Sequence, residues 1–65
     1  MIIDGMKVKI ILTQKNLSVR QFCIQNNLSY STVIALINNN RAGNIRTIER
    51  IANALDVQVL EILKF

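Results

Sequence analysis

Residues 18–44 constrain the fold more than any other part of this sequence, because they contain two short amphipathic runs separated by a polar break. Ser18 and Gln21 have the spacing of a capping box, in which each side chain accepts a hydrogen bond from a backbone N–H at the start of a helix. The first run stops at Asn26 and Asn27, and asparagine is second only to glycine in tolerating the left-handed conformation that closes a helix. A first helix should therefore end at this break.

The second run follows Ser29, which is another favourable N-cap residue. Its apolar residues recur every three or four positions, as in a helix that is packed on one side. That inner side is formed by Val33, Leu36 and Ile37, and the opposite face carries uncharged side chains, namely Tyr30, Ser31, Ile34, Ala35 and Asn38. Two short helices joined by a tight turn predict a helix-turn-helix motif.

The flanking segments complete an all-α domain. Asp4 and Gly5 form either a turn or a helix cap, and Met6 is an alternative to Met1 as the translation start. Asn44 caps a further helix, which has a regular apolar stripe and breaks at Asp56. We predict a single domain over residues 1–65, a compact bundle of five short helices at about 6–15, 18–26, 29–38, 44–55 and 57–64.

The chain resembles the lambda-repressor-like (Cro/cI, XRE-type) helix-turn-helix family of phage and bacterial regulators. The resemblance runs without a gap from Ser31 to Ile62 and is weaker over Val8 to Asn27. The residues that carry it are Ser31, Val33, Ala35, Leu36, Asn38, Ala42, Asn44, Ala52, Leu55, Val57 and Val59. It implies a DNA-binding fold whose second helix of the motif, 29–38, enters the major groove.

Two departures from the family pattern are informative. The family commonly has a phosphate-binding Gln where this chain has Val19. Many members also carry an Arg and a Glu that pair beneath the turn, at the positions of Leu12 and Ile37. Replacing both partners of a buried ion pair by apolar residues is often neutral or stabilising. We therefore expect Leu12 to contact Ile37.

The charge distribution fits a nucleic-acid partner. The net charge is +4, and the segment from Gly5 to Ile48 contains six basic residues and no acidic one. A basic segment that coincides with a helix-turn-helix is typical of a phosphate-binding surface. The alternative is the ordinary solvated face of a mildly basic protein.

The resemblance places Tyr30, Ser31 and Ala35 at positions that reach bases and Arg41 in a loop that reaches the groove, and residue type and position add the other expected DNA contacts. Base contacts are expected from Tyr30, Ser31, Thr32, Ile34 and Ala35, and backbone contacts from Arg20, Gln21, Asn38, Asn40, Arg41 and Arg46. A serine hydroxyl can donate to or accept from any base edge, and small apolar groups can lie against a thymine methyl. The predicted helix lacks the Gln and Arg side chains that make bidentate base contacts, so direct readout should be weak and broad. For Tyr30 and Ser31 the alternative is an ordinary exposed helix face.

The predicted last helix has more apolar residues than one face of an eight-residue helix can bury. We expect the surplus, Leu60, Leu63 and Phe65, to form a homodimer interface, with residues 1–3 as a second candidate. The alternative is that Phe65 folds back over the core.

The sequence thus predicts a sequence-specific DNA-binding transcriptional regulator, a small repressor or Cro-like protein of a phage or mobile element that acts as a dimer. The alternative is a protein-interaction module on the same fold, such as an anti-repressor or antitoxin-like subunit with a regulatory protein partner. Val19, Ile34 and the exposed-looking Ile10 and Ile24 favour that alternative.

We expect no enzymatic activity, metal or cofactor. There is no His, the one cysteine is Cys23, and no carboxylate pair lies in a plausible cleft. Without a leader pattern or an apolar run approaching about 18 residues, the chain is expected to be cytoplasmic, with no membrane partner.

Overall fold

A computed structural model of the chain describes residues 1–38 and 42–64. Within these two stretches lie four α-helices: α1 (Gly5–Gln14), α2 (Val19–Gln25), α3 (Tyr30–Asn38) and α4 (Ile45–Leu55). A 3₁₀ turn follows at Val59–Glu61. The predicted all-α class is confirmed, and the first four predicted helices are present within one residue of the expected bounds.

The predicted fifth helix over 57–64 is wrong. After the 3₁₀ turn the chain becomes extended, and Leu63 forms an antiparallel bridge with Ile3. The N–H of Lys64 donates to the carbonyl of Ile2 at 2.8 Å, and the N–H of Asp4 donates to the carbonyl of Ile62 at 2.7 Å. An isolated eight-residue helix is marginal. Here the backbone groups of residues 62–64 instead form hydrogen bonds with the N-terminal residues, so no fifth helix is needed.

Side-chain caps fix the helix starts. The Asp4 carboxylate accepts hydrogen bonds from the N–H groups of Met6 and Lys7, so Asp4 acts as a helix cap. The predicted capping box is confirmed, with Ser18 Oγ 3.1 Å from the Gln21 N and Gln21 Oε1 3.0 Å from the Ser18 N. Asn44 Oδ1 accepts from the N–H of Thr47 at 2.9 Å.

Three turns rest on residues in the left-handed conformation. Asn16, Asn27 and Asp56 have φ angles of 58°, 55° and 62°. Asn27 and Asp56 are the breaks expected from the sequence after the second and fourth helices. Asn and Asp adopt this conformation more readily than other residues with side chains.

The core is entirely apolar among the described residues. It consists of Ile3, Val8, Leu12, Phe22, Cys23, Val33, Leu36, Ile37, Ile48, Ile51, Ala52, Leu55, Ile62 and Leu63. Close packing of α1 on α3 requires a glycine at position 5, since a Cβ atom on Gly5 would clash with the carbonyl oxygen of Ile37. None of the described helices is long and apolar enough to cross a membrane.

Candidate nucleic-acid interface

The first turns of α3 present the predicted base-reading residues. Ser31 and Thr32 are exposed, and the Tyr30 side chain is 42% exposed. Ile34 and Ala35 are half-buried, one turn further along the helix. The amino end of α3 is thus an accessible face of hydroxyl and small apolar groups without charge.

The side chain of Ser29, the residue before α3, caps the start of this helix. Ser29 Oγ accepts a hydrogen bond from the N–H of Thr32 at 3.4 Å and lies 3.3 Å from Ser31 Oγ. The Ser31 hydroxyl therefore has a local partner and keeps one further direction for a base or a water molecule.

An open cleft of about 370 Å³ separates α3 from the beginning of α4. Its walls are Ser31, Thr32, Ala35, Leu36, Ala42, Gly43, Asn44 and Thr47. The amino end of α4, with the exposed Arg46 in its first turn, therefore lies beside the exposed face of α3. A helix amino end favours anions through its free N–H groups and its dipole.

On the other side of α3 lies the start of α2. The Arg20 guanidinium carbon is 4.8 Å from the centroid of the Tyr30 ring. Gln21 is exposed, and its side-chain oxygen is engaged in the capping box, which leaves its NH₂ group as a donor. A basic side chain of α2 thus lies against the first residue of α3, and the first turn of α4, which carries Arg46, borders the cleft beside α3.

The turn between α2 and α3 is tied to α4 by a contact that the sequence did not predict. Arg50 Nη2 donates a hydrogen bond to the carbonyl oxygen of Asn27 at 3.3 Å. Within the turn, the N–H of Leu28 donates to the carbonyl of Cys23 at 2.9 Å. The sequence gives one indication that Arg50 lies near the motif: it follows Arg46 by four residues, so the two side chains lie on the same face of α4.

Three positions that are commonly polar or charged in similar sequences are apolar in this chain, namely Leu12, Val19 and Ile37. Val19 is half-buried and packs against the core. Leu12 and Ile37 are both buried in that core, and both are apolar, so the core holds no charge at either position. Every buried polar side-chain atom in the described part of the chain has a hydrogen-bond partner. Direct contact between Leu12 and Ile37 stays a prediction.

Three of the predicted site residues, Asn40, Arg41 and Phe65, lie outside the described residues. Asn38 is exposed at the end of α3.

The residues expected at the dimer interface are not all on the surface. Leu60 is 68% exposed, whereas Leu63 is 6% exposed and belongs to the core, because its bridge to Ile3 turns it inward. Ile3, in the second candidate segment, is fully buried, while Met1 and Ile2 are exposed. Among the described residues of the two chain ends, the exposed apolar ones are therefore Met1, Ile2 and Leu60.

The described residues contain no group of three His, Cys, Asp or Glu side chains that could hold a metal ion. Cys23 is a buried free thiol, and burial raises its pKa, which disfavours the reactive thiolate.

The sequence model of the Cro/C1-type HTH DNA-binding domain matches residues 7–65. No curated protein and no solved structure matches the chain.

Proposed function

We propose that this chain, which belongs to the Cro/C1-type family of helix-turn-helix DNA-binding domains, is a sequence-specific transcriptional regulator, acting as a small repressor or Cro-like protein. In this proposal α3 enters the major groove and α2 crosses the DNA backbone. The observation that carries it is the uncharged, exposed amino end of α3, which lies beside Arg20 of α2 and shares a cleft with the start of α4, where Arg46 is exposed. No acidic residue occurs between Gly5 and Ile48 to repel phosphates.

The side chains on α3 suggest how sequence would be read. Ser31 and Thr32 supply hydroxyl groups for base edges, and Ile34 and Ala35 supply surfaces for thymine methyl groups. A good bidentate contact is worth about 1–3 kcal/mol of base discrimination. Hydroxyl and methyl contacts give less, so specificity should draw on paired half-sites and DNA shape as well.

Pairing of half-sites requires two copies of the chain. A two-fold dimer would place its two α3 helices on half-sites roughly 34 Å apart, about one turn of DNA. The exposed apolar residues Met1, Ile2 and Leu60 supply a candidate contact between copies. Burying them would remove apolar surface that a monomer leaves in water.

A second candidate function is binding of a protein partner through the same domain. The specific observation in its favour is Ile24, which lies on the outer side of α2 and is 74% exposed. Ile10, on the outer side of α1, is also exposed. These residues would suit an apolar partner surface, whereas the basic segment favours DNA.

A Ser31→Glu variant tests the proposed role of α3 in DNA binding. Ser31 is the second residue of α3, where a carboxylate suits the helix dipole and should leave the fold intact. Close to a phosphate, the same charge costs several kcal/mol, so DNA affinity should fall by at least about tenfold. The measurement is fluorescence anisotropy with a labelled mixed-sequence duplex of about 20 base pairs, two turns of DNA.

The matched control is Met6→Glu. Met6 is the second residue of α1 and is well exposed, so the change in charge and the position in the helix are the same. Its effect on DNA affinity should be small, because the outer face of α1 points away from α3. Equal affinities for the two variants would contradict the proposed role of α3. Thermal melts of both proteins report on the fold.

A further inference from the structure

We propose that Arg20 and Tyr30 act as one unit, in which the Tyr30 ring holds the Arg20 guanidinium in position to bind a DNA backbone phosphate. This inference rests on the proposed function. It assigns Tyr30 to positioning a cation and not to reading a base through its hydroxyl group.

The geometry joins the two helices of the motif. Arg20 is the second residue of α2 and Tyr30 is the first residue of α3. The guanidinium carbon of Arg20 lies 4.8 Å from the centre of the Tyr30 ring, inside the range of roughly 6 Å for a cation–π contact. The contact therefore connects the helix that crosses the DNA backbone to the helix that reads the groove.

The contact with the ring leaves the guanidinium able to bind an anion. A guanidinium carries several N–H donors in a planar fork, so contact with one ring leaves donors for an anion. Arg50 donates a hydrogen bond to the carbonyl oxygen of Asn27. Arg20, by contrast, donates no hydrogen bond to the residues that the structure describes. The guanidinium can bind a phosphate group in a bidentate manner, through two parallel N–H···O hydrogen bonds.

The Tyr30 ring also restricts the positions that the Arg20 guanidinium can adopt. An exposed arginine has many rotamers, and restricting them before DNA arrives reduces the entropy lost on binding. Val19, beside Arg20, is half-buried and apolar and supplies no polar contact at the start of α2. The Arg20 and Tyr30 pair would provide the polar link between α2, α3 and the DNA backbone.

The test is the salt dependence of DNA binding by single and double variants, with a mixed-sequence duplex as the probe. Arg20→Ala should reduce the slope of log K against log salt by about 0.9, the value for one lost phosphate contact. Tyr30→Ala should weaken binding roughly two- to fivefold, the factor that corresponds to an exposed cation–π contact. Tyr30→Phe keeps the ring and should bind like the unmodified chain.

The double variant and a charge-matched control make the result specific. Arg20→Ala combined with Tyr30→Ala should bind no more weakly than Arg20→Ala alone, because the ring acts only through the guanidinium. Lys9→Ala removes the same charge from an exposed position on α1 and should change the slope less.

Three outcomes would overturn the inference: Tyr30→Phe as weak as Tyr30→Ala, single effects that simply multiply in the double variant, or equal slopes for Arg20→Ala and Lys9→Ala. Failure of the unmodified chain to bind DNA would be a different result, since it would contradict the proposed function itself.

Discussion

A Leu12→Arg variant is expected to be strongly destabilised. Leu12 is 2% exposed, and the described core contains no buried polar or charged residue that could pair with a guanidinium. An unpaired buried charge costs roughly 3–5 kcal/mol. A 65-residue domain has a total stability of about 3–10 kcal/mol at typical values per residue, so the loss is a large share. Urea denaturation followed by circular dichroism measures it.

A double variant tests the origin of this effect. Leu12→Arg combined with Ile37→Glu restores opposite charges at the two positions, and part of the lost stability should return if the side chains touch. Leu12→Met conserves volume and polarity and should cost less than about 1.5 kcal/mol. An unchanged urea midpoint for Leu12→Arg would contradict the buried position, and a double variant no more stable than Leu12→Arg would contradict the contact.

A chain that begins at Met6 is expected to be largely unfolded. It lacks Ile3, which is fully buried, and removal of a buried isoleucine side chain costs about 2–5 kcal/mol. It also lacks the Asp4 cap of α1, worth about 1 kcal/mol. The carbonyl of Met1, which accepts from the N–H of Gly43 at 2.9 Å, and the pairing with residues 62–64 are lost as well. Thermal melts of chains 6–65 and 1–65 measure the difference.

Two point variants in the full chain separate core burial from chain length. Ile3→Ala should lower the melting temperature strongly, whereas Ile2→Ala, at the exposed neighbouring position, should change it little. Equal melting temperatures for chains 6–65 and 1–65 would show that residues 1–5 are dispensable. The expected result makes these residues part of the folded domain, although the family match begins at residue 7.

The features of the fold that could be predicted from the sequence depend on interactions between residues a few positions apart in the chain. Ser18 and Gln21 cap a helix across three residues, and Asn27 occupies the left-handed conformation through its own side-chain preference. The apolar periodicity of α3 likewise separates its buried side from its exposed side. For this reason the helix-turn-helix and the exposed face of α3 can be predicted from the sequence, whereas the base-reading role of that face is what the family resemblance implies.

The parts that could not be predicted depend on contacts between distant segments. The apolar residues at 57–64 predict a helix, but Leu63 instead bridges to Ile3 at the other end of the chain. Arg50 reaches the carbonyl of Asn27 across 23 residues, and no periodicity marks that pair. Such contacts appear only once the helices are packed, because tertiary structure overrides local preference in short segments.

The central claim, that α3 reads DNA as part of a dimer, is tested most directly by selecting bound duplexes from random DNA at low and near-physiological salt. The account predicts enrichment of a two-fold-related site whose half-sites lie about one helical turn apart, retained at the higher salt. Binding at low salt without any enriched sequence, or no binding at either salt, would contradict it.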